Sequence, residues 1–233
     1  MIPRRYDRNI ASLGMEGQER LFLPFKSVRH VLVAGCGGLG GGVVEILARA
    51  GVGTLTLVDG DVFSESNLNR QLLAKEDNFG RLKAEAAEAR VKEINGHVNV
   101  WAVPHMLTED NCQSLLAGVD LAIDALDSNL ARAILYKGCK EAKVPVIHGA
   151  LGGMIGQVGR YRPWEKTHFD VFEGSLPDAG IEEAAGTPSF TPYVIGALEA
   201  AEAIKYLAKV EEIRWGTLTL VDLAIMSMET LEL

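Results

Sequence analysis

The 233-residue sequence predicts an α/β fold: a doubly wound, mainly parallel sheet extended by antiparallel strands at its C-terminal end. Three observations predict it. Short β-branched runs alternate with helical stretches from residue 30 to residue 148, which is the pattern of βα units in a parallel sheet. A glycine cluster follows the first of these runs directly. Two further β-rich runs close the chain with no helix between them.

Taken in order, His30–Ala34 reads as a buried strand and Gly40–Ala50 as a helix, followed by a second strand over Thr54–Asp59. Arg81–Ile94 is helical, because Leu82, Ala86, Ala89 and Ile94 share a stripe while Lys83, Glu85, Glu88, Lys92 and Glu93 lie elsewhere. Val98–Val103 and Leu121–Leu126 are the third and fourth strands. A helix over Asn129–Ala142 leads through Pro145 into a strand at Val146–His148, and Gly152–Val158 suggests an extra one. Pro163–Tyr193 is proline-containing and aperiodic, and a loop of that length in a compact domain is usually functional. Tyr193–Ala208 is an amphipathic helix, and Thr217–Leu223 and Ser227–Leu233 are the closing strands.

Composition narrows the function. Lys and Arg number 23 against 31 Asp and Glu, a formal net charge of −8. That balance argues against nucleic acid as the main partner, because phosphate neutralisation needs clustered cations, but it leaves room for a small anionic ligand. Three cysteines, Cys36, Cys112 and Cys139, form neither a disulfide framework nor a C-x-x-C spacing, which reads as reduced thiols in a cytoplasm. The most apolar stretch, Val31–Val58, is broken by Glu45 and Arg49, so no membrane span is expected, and the N-terminus carries no export signal.

The glycines carry the first chemistry. Glycine is in excess at 25 residues against an average usage of roughly 7%, and much of it lies between Gly35 and Gly53. Gly35-Cys36-Gly37-Gly38-Leu39-Gly40 closes a strand and opens a helix, a G-x-G-x-x-G loop in a Rossmann-like setting. Such glycines allow a tight turn and let backbone N–H groups approach a phosphate. Asp59 ends the next strand, where an acid would hold ribose hydroxyls. To this point a dinucleotide and ATP are equally served. The following loop and helix decide between them: Asp61, Ser66, Asn67, Arg70 and Lys83 gather at the edge of the loop, and fixed cations suit a triphosphate better than a hydride donor.

These residues resemble the ThiF/MoeB/HesA adenylyltransferase superfamily, bacterial relatives of ubiquitin-activating enzymes. The resemblance covers nearly the whole chain. It is carried by Arg5-Tyr6-Asp7-Arg8-Asn9-Ile10, Gly35–Gly40, Leu57-Val58-Asp59-Gly60-Asp61, Ser66-Asn67-Leu68-Asn69-Arg70-Gln71, Gly80 with Lys83, Asp124-Ala125-Leu126-Asp127 and Ile195–Ala200. It implies one domain over residues 1–233: an N-terminal helical arm (1–28), a nucleotide-binding half (29–150), and a carrier-binding half (151–233) with a crossover loop at about 163–193.

The implied roles follow residue by residue. Gly35, Gly37, Gly38 and Gly40 would line the phosphates, and Asp59 and Lys83 would contact the ribose. Asn67 and Arg70 would bind the phosphate chain, with Asp61, Ser66 and Ser128 beside the nucleotide. Asp127 would hold Mg²⁺, and Arg8 would reach the γ-phosphate across a homodimer interface. The implied reaction is attack by the C-terminal carboxylate of a small ubiquitin-like sulfur carrier ending in Gly-Gly on the α-phosphate of ATP, releasing pyrophosphate, with a separate sulfur donor acting afterwards.

Three departures from the family qualify this. No cysteine follows Cys139, so the structural zinc of many members is not expected. None lies between His168 and Thr191, so a covalent relay from that loop is not expected. Ser128 stands where Asn is usual, and serine can still cap the following helix. Cys36, at a helix N-terminus, reads as a small residue filling a turn rather than a reactive thiol, and His148 as a structural histidine; His168 is given no role. The alternatives are adenylation of a non-protein carboxylate or a tRNA base, an NAD-binding oxidoreductase, and a non-catalytic partner subunit.

Overall fold

A computed structural model describes residues 2–22, 29–168 and 185–233. Its eight strands form one mixed sheet in the order β3-β2-β1-β4-β5-β6-β7-β8. Strands β1 (His30–Ala34), β2 (Thr54–Val58), β3 (Asn99–Val103), β4 (Leu121–Asp124) and β5 (Val146–Gly152) run parallel. Strands β6 (Ile155–Tyr161), β7 (Thr217–Asp222) and β8 (Ser227–Glu232) continue antiparallel from β5. The expected architecture is therefore the observed one.

Helices cover both faces because successive strand residues point to opposite sides. Val31 and Val33 of β1 join one core with α2 (Gly38–Ala50), α3 (Lys83–Ile94) and α6 (Phe190–Ala208), where Val43, Leu47, Val91, Ala200 and Leu207 are buried. Leu32 and Ala34 join the opposite core, with Cys112 of α4 (Glu109–Leu115) and Leu135, Tyr136 and Cys139 of α5 (Asn129–Ala142). Truncating a large buried side chain such as Leu47 to alanine costs about 2–5 kcal/mol.

The N-terminal helix α1 (Asp7–Phe22), interrupted by non-helical backbone at Gly14, is anchored by the residues just before it. Tyr6 is fully buried, its ring against Gly51, where any Cβ would fall 2.5 Å from the ring and hydroxyl. Its hydroxyl accepts from Asn95 Nδ2 at 2.6 Å, and Arg5 Nη1 donates to Asn95 Oδ1 at 2.8 Å.

Cys112 lies in a helical stretch by sequence, and α4 buries it there, with Thr108 and Asn111 forming the helix's capping box. Two details differ from the sequence reading. The strand expected at Val146–His148 runs on to Gly152, and the extra one expected from Gly152 starts at Ile155, the turn between them falling at Gly153, whose φ of 59° glycine accommodates at little cost. Helix α6 starts at Phe190 rather than Tyr193, because Pro192 falls in its first turn, where a missing N–H costs nothing. Of the expected crossover loop, residues 169–184 lie outside the described residues. Among those described, no helix is long and apolar enough to cross a membrane.

Candidate active site

A cavity of about 320 Å³ opens at the C-terminal ends of β1, β2 and β4. Chain order in the sheet reverses between β1 and β4, and such a reversal leaves a crevice at the strand ends. Gly35, Gly37, Gly38, Asp59, Asp61, Arg70, Lys83, Asp127 and Ser128 all line it.

The glycine loop is as tight as the sequence implies. Gly35 has φ +93°, and a Cβ there would fall 2.5 Å from the Ala125 carbonyl oxygen. At Gly40 a Cβ would fall 1.8 Å from the Gly35 carbonyl oxygen, so the loop closes only on glycine. Gly37 caps α2 without a side chain, leaving the first N–H groups of that helix without a side-chain cap where Gly37, Gly38 and Leu39 line the cavity.

Asp59 organises this loop from the tip of β2. Its Oδ2 accepts from the Cys36 N–H and its Oδ1 from the Asp61 N–H, both at 2.8 Å. Burial raises its pKa, opposed by those two N–H bonds and by Lys83. A carboxylate has about four lone-pair directions, so two remain for a ligand hydroxyl. Lys83 opens α3, and its Nζ lies 2.9 Å from Asp61 Oδ2 while its own N–H donates to the Asp61 carbonyl. Two groups separated by 22 residues are thus locked together at the cavity wall.

Arg70 is half-buried, its Nη1 donating to the Ser66 carbonyl at 2.8 Å and to Asn69 Oδ1 at 3.0 Å. Asn69 in turn donates to the Thr187 carbonyl, tying this loop to the segment before α6. Asn67 and Ser66 are not among the cavity-lining residues. Asn67 is buried, its Oδ1 accepting the Ser64 N–H at 3.0 Å in a capping box, and the Ser66 hydroxyl is 2.9 Å from that of Ser64. Both shape the turn that carries Arg70. Arg8 is exposed on α1 and does not line the cavity of its own chain.

Opposite the glycine loop, Ser128 caps α5 by accepting from the Ala131 N–H at 3.3 Å. Pro192 in the first turn of α6 also lines the cavity. The N-termini of α2 and α5 therefore converge on one space, each adding positive potential for an anion. Met106, Leu107, Leu126, Leu130, Ala131 and Ile134 supply an apolar wall.

Sequence reasoning gave no role to that wall or to Gln71, quoted only as part of a motif, whose amide packs against Gly37. Cys36 is fully buried, and burial with the neighbouring Asp59 pushes its pKa well up, the reverse of an activated thiol. His148 is buried and satisfied, 2.7 Å from Asp124 and 3.0 Å from Gln157. His168 packs on it with ring centroids 4.4 Å apart, and burial depresses its pKa to about 2.

A model of the ThiF family matches residues 6–233. The chain belongs to the ThiF family. Among relatives, a molybdopterin-synthase adenylyltransferase of Salmonella typhimurium is 40% identical over 222 residues, covering 94% of this chain and 87% of the relative. The SAMP-activating enzyme E1 of Haloferax volcanii is 34% identical over 233 residues, covering 97% and 83%. Adenylyltransferases and E1-type activating enzymes are the class to which this ThiF-family enzyme is thereby assigned. Of solved structures, PaaA superposes with a TM-score of 0.80 at 22% identity, covering 98% of this chain and 72% of that one. E. coli MccB with ATP gives 0.78 at 23%, covering 99% and 72%. Both show the same fold.

Proposed function

We propose that this ThiF-family enzyme uses ATP to adenylate the C-terminal carboxylate of a small ubiquitin-like sulfur carrier ending in Gly-Gly, with loss of pyrophosphate. The observation that carries this reading is the cavity itself. A glycine loop and the N-termini of α2 and α5 line it together with Arg70, Lys83 and Asp127, and the rest of its wall is largely apolar. That combination suits a polyphosphate at one end and a base at the other.

The chemistry asks for charge stabilisation rather than proton transfer. A C-terminal carboxylate, with a pKa of roughly 3.5, is already ionised at neutral pH and needs no general base. The barrier lies in bringing it to a phosphate and in carrying the charge that builds on the leaving pyrophosphate. Lys83 and Arg70 supply fixed positive charge there, and the preformed Lys83–Asp61 pair spares reorganisation at the moment of reaction. Asp59 holds the glycine loop and offers its remaining lone pairs to the ribose.

Among the described residues no group of three or more His, Cys, Asp or Glu could cage a metal. Mg²⁺ does not need one: it is commonly held by one or two carboxylates together with substrate phosphates, and Asp127 on the cavity wall fits that role. When bound, the ion would neutralise phosphate charge. Arg8, which does not line the cavity of its own chain, would act on the nucleotide of a neighbouring subunit in a homodimer. A separate sulfur donor would then convert the acyl-adenylate.

Titration with Mg·ATP and with NADH, each followed by thermal shift, tests the nucleotide assignment. Stabilisation by Mg·ATP alone is expected. Stabilisation by NADH without a response to ATP would instead support an oxidoreductase.

A further inference from the structure

Behind the cavity lies a buried polar network that the proposed roles leave unused. Arg132, one turn into α5, is 6% exposed and reaches three chain segments. Its Nη2 donates to the Leu126 carbonyl and, at 3.3 Å, to the Gly149 carbonyl on β5. Its Nη1 donates to Asn129 Oδ1 at 3.3 Å, and its Nε lies 3.5 Å from Asp124 Oδ1 at the end of β4.

Asp124 is itself fixed from the other side. Its Oδ2 meets His148 Nδ1 at 2.7 Å, and His148 Nε2 meets the Gln157 amide nitrogen at 3.0 Å. An amide nitrogen only donates, so His148 Nε2 accepts and its proton sits on Nδ1, pointing at Asp124. The guanidinium is therefore paired with one ionised carboxylate whose second oxygen is already satisfied.

We propose that Arg132 is a positioning residue that clamps the β4–α5 turn, holding Asp127 and the Ser128 cap towards the cavity. The inference rests on the nucleotide-binding reading and deepens it. Leu126, whose carbonyl Arg132 holds, is the residue immediately before Asp127. Only a planar guanidinium fork donates to two carbonyls and an amide oxygen while holding its charge 3.5 Å from the Asp124 carboxylate. Lysine at this position could neutralise Asp124, but its single nitrogen could not hold the Leu126 and Gly149 carbonyls apart in fixed positions.

The test compares the wild-type protein, Arg132→Lys, Asp127→Asn and the double variant, using ATP with increasing Mg²⁺ and reading the Mg²⁺-dependent part of the thermal shift. Arg132→Lys is expected to need about 10–100-fold more Mg²⁺ for half the shift, the usual effect of removing a group that orients a metal-binding carboxylate. In the Asp127→Asn background it should add nothing, since both changes remove the same interaction. A wild-type Mg²⁺ response in Arg132→Lys, or an equal loss in both backgrounds, would overturn the proposal.

Should Arg132→Lys fail to fold, Asn129→Ala removes one acceptor of the same guanidinium and should shift the Mg²⁺ requirement the same way by a few-fold. No shift there would count against the clamp. If the wild-type protein shows no Mg²⁺-dependent response to ATP, the nucleotide reading fails first. The clamp is then judged by hydrogen exchange at the amides of residues 125–128, expected to quicken in Arg132→Lys; unchanged exchange would refute it.

Discussion

Glu199 offers a physical prediction that needs no substrate. It lies inside α6, fully buried, and among the described residues neither carboxylate oxygen has a hydrogen-bond partner. The backbone of Gly149 is so close that a Cβ there would fall 2.3 Å from the Glu199 carboxyl carbon. Burial pushes its pKa well up, helped by the Asp124 charge and opposed by Arg132. The folded protein thus holds a neutral carboxylic acid where the unfolded chain ionises near the ordinary value of 4.5. Above that pH the folded state binds one more proton than the unfolded state, so this group's contribution is intact below about 4.5 and is lost as pH rises towards the folded value.

The loss is about 1.4 kcal/mol for each pH unit in that window. Glu199→Gln keeps the shape and removes the titration, so its stability relative to wild type should rise by that slope from pH 5 upward. In a chain of this size the slope corresponds to a Tm difference growing by about 3–6 °C per pH unit. Every other titrating group is common to both proteins and cancels in the difference. A constant offset from the amide's second N–H leaves the slope untouched. Melting curves at half-unit pH steps read it directly, and parallel curves would refute a buried, protonated Glu199.

Two other substitution sets probe the cavity. Gly40→Ala pushes a methyl into the Gly35 carbonyl and should cost about 3 kcal/mol in a denaturant melt together with nucleotide binding. Gly42→Ala, with open space around its Cβ position, should stabilise α2 by about 0.5–1 kcal/mol; equal effects at the two sites would contradict the loop geometry. Asp127→Ala should abolish adenylation while leaving the melt unchanged, and Arg8→Ala should slow turnover more than it weakens ATP binding. Mixing the last two variants should restore part of the activity in mixed dimers. No recovery would remove Arg8 from the neighbouring subunit's site.

The parts of this fold legible in the sequence are those with a local signature. The parallel sheet showed in the β-branched runs, and the tight loop at one cavity wall showed in Gly35–Gly40, where Gly35 and Gly40 leave no room for a Cβ. Asp59 and Lys83 were legible because they sit at the end of a strand and the start of a helix. Leu107 and Ile134 were not, since a leucine facing a ligand has the same pattern as a leucine facing the core. Asn67 shows the limit of motif reading: its place in the loop was clear, but its side-chain oxygen is spent on a turn beside the cavity. Arg132 could not be found at all, because an arginine one turn into a helix looks solvated until Asp124, Leu126 and Gly149 are brought around it.

Exchange of labelled pyrophosphate into ATP measures the central claim directly. The account predicts exchange that requires Mg²⁺ and a carrier with a free Gly-Gly carboxylate, and that vanishes when that C-terminus is amidated. Exchange unaffected by blocking the carboxylate, or none with any Gly-Gly-terminated carrier, would contradict it.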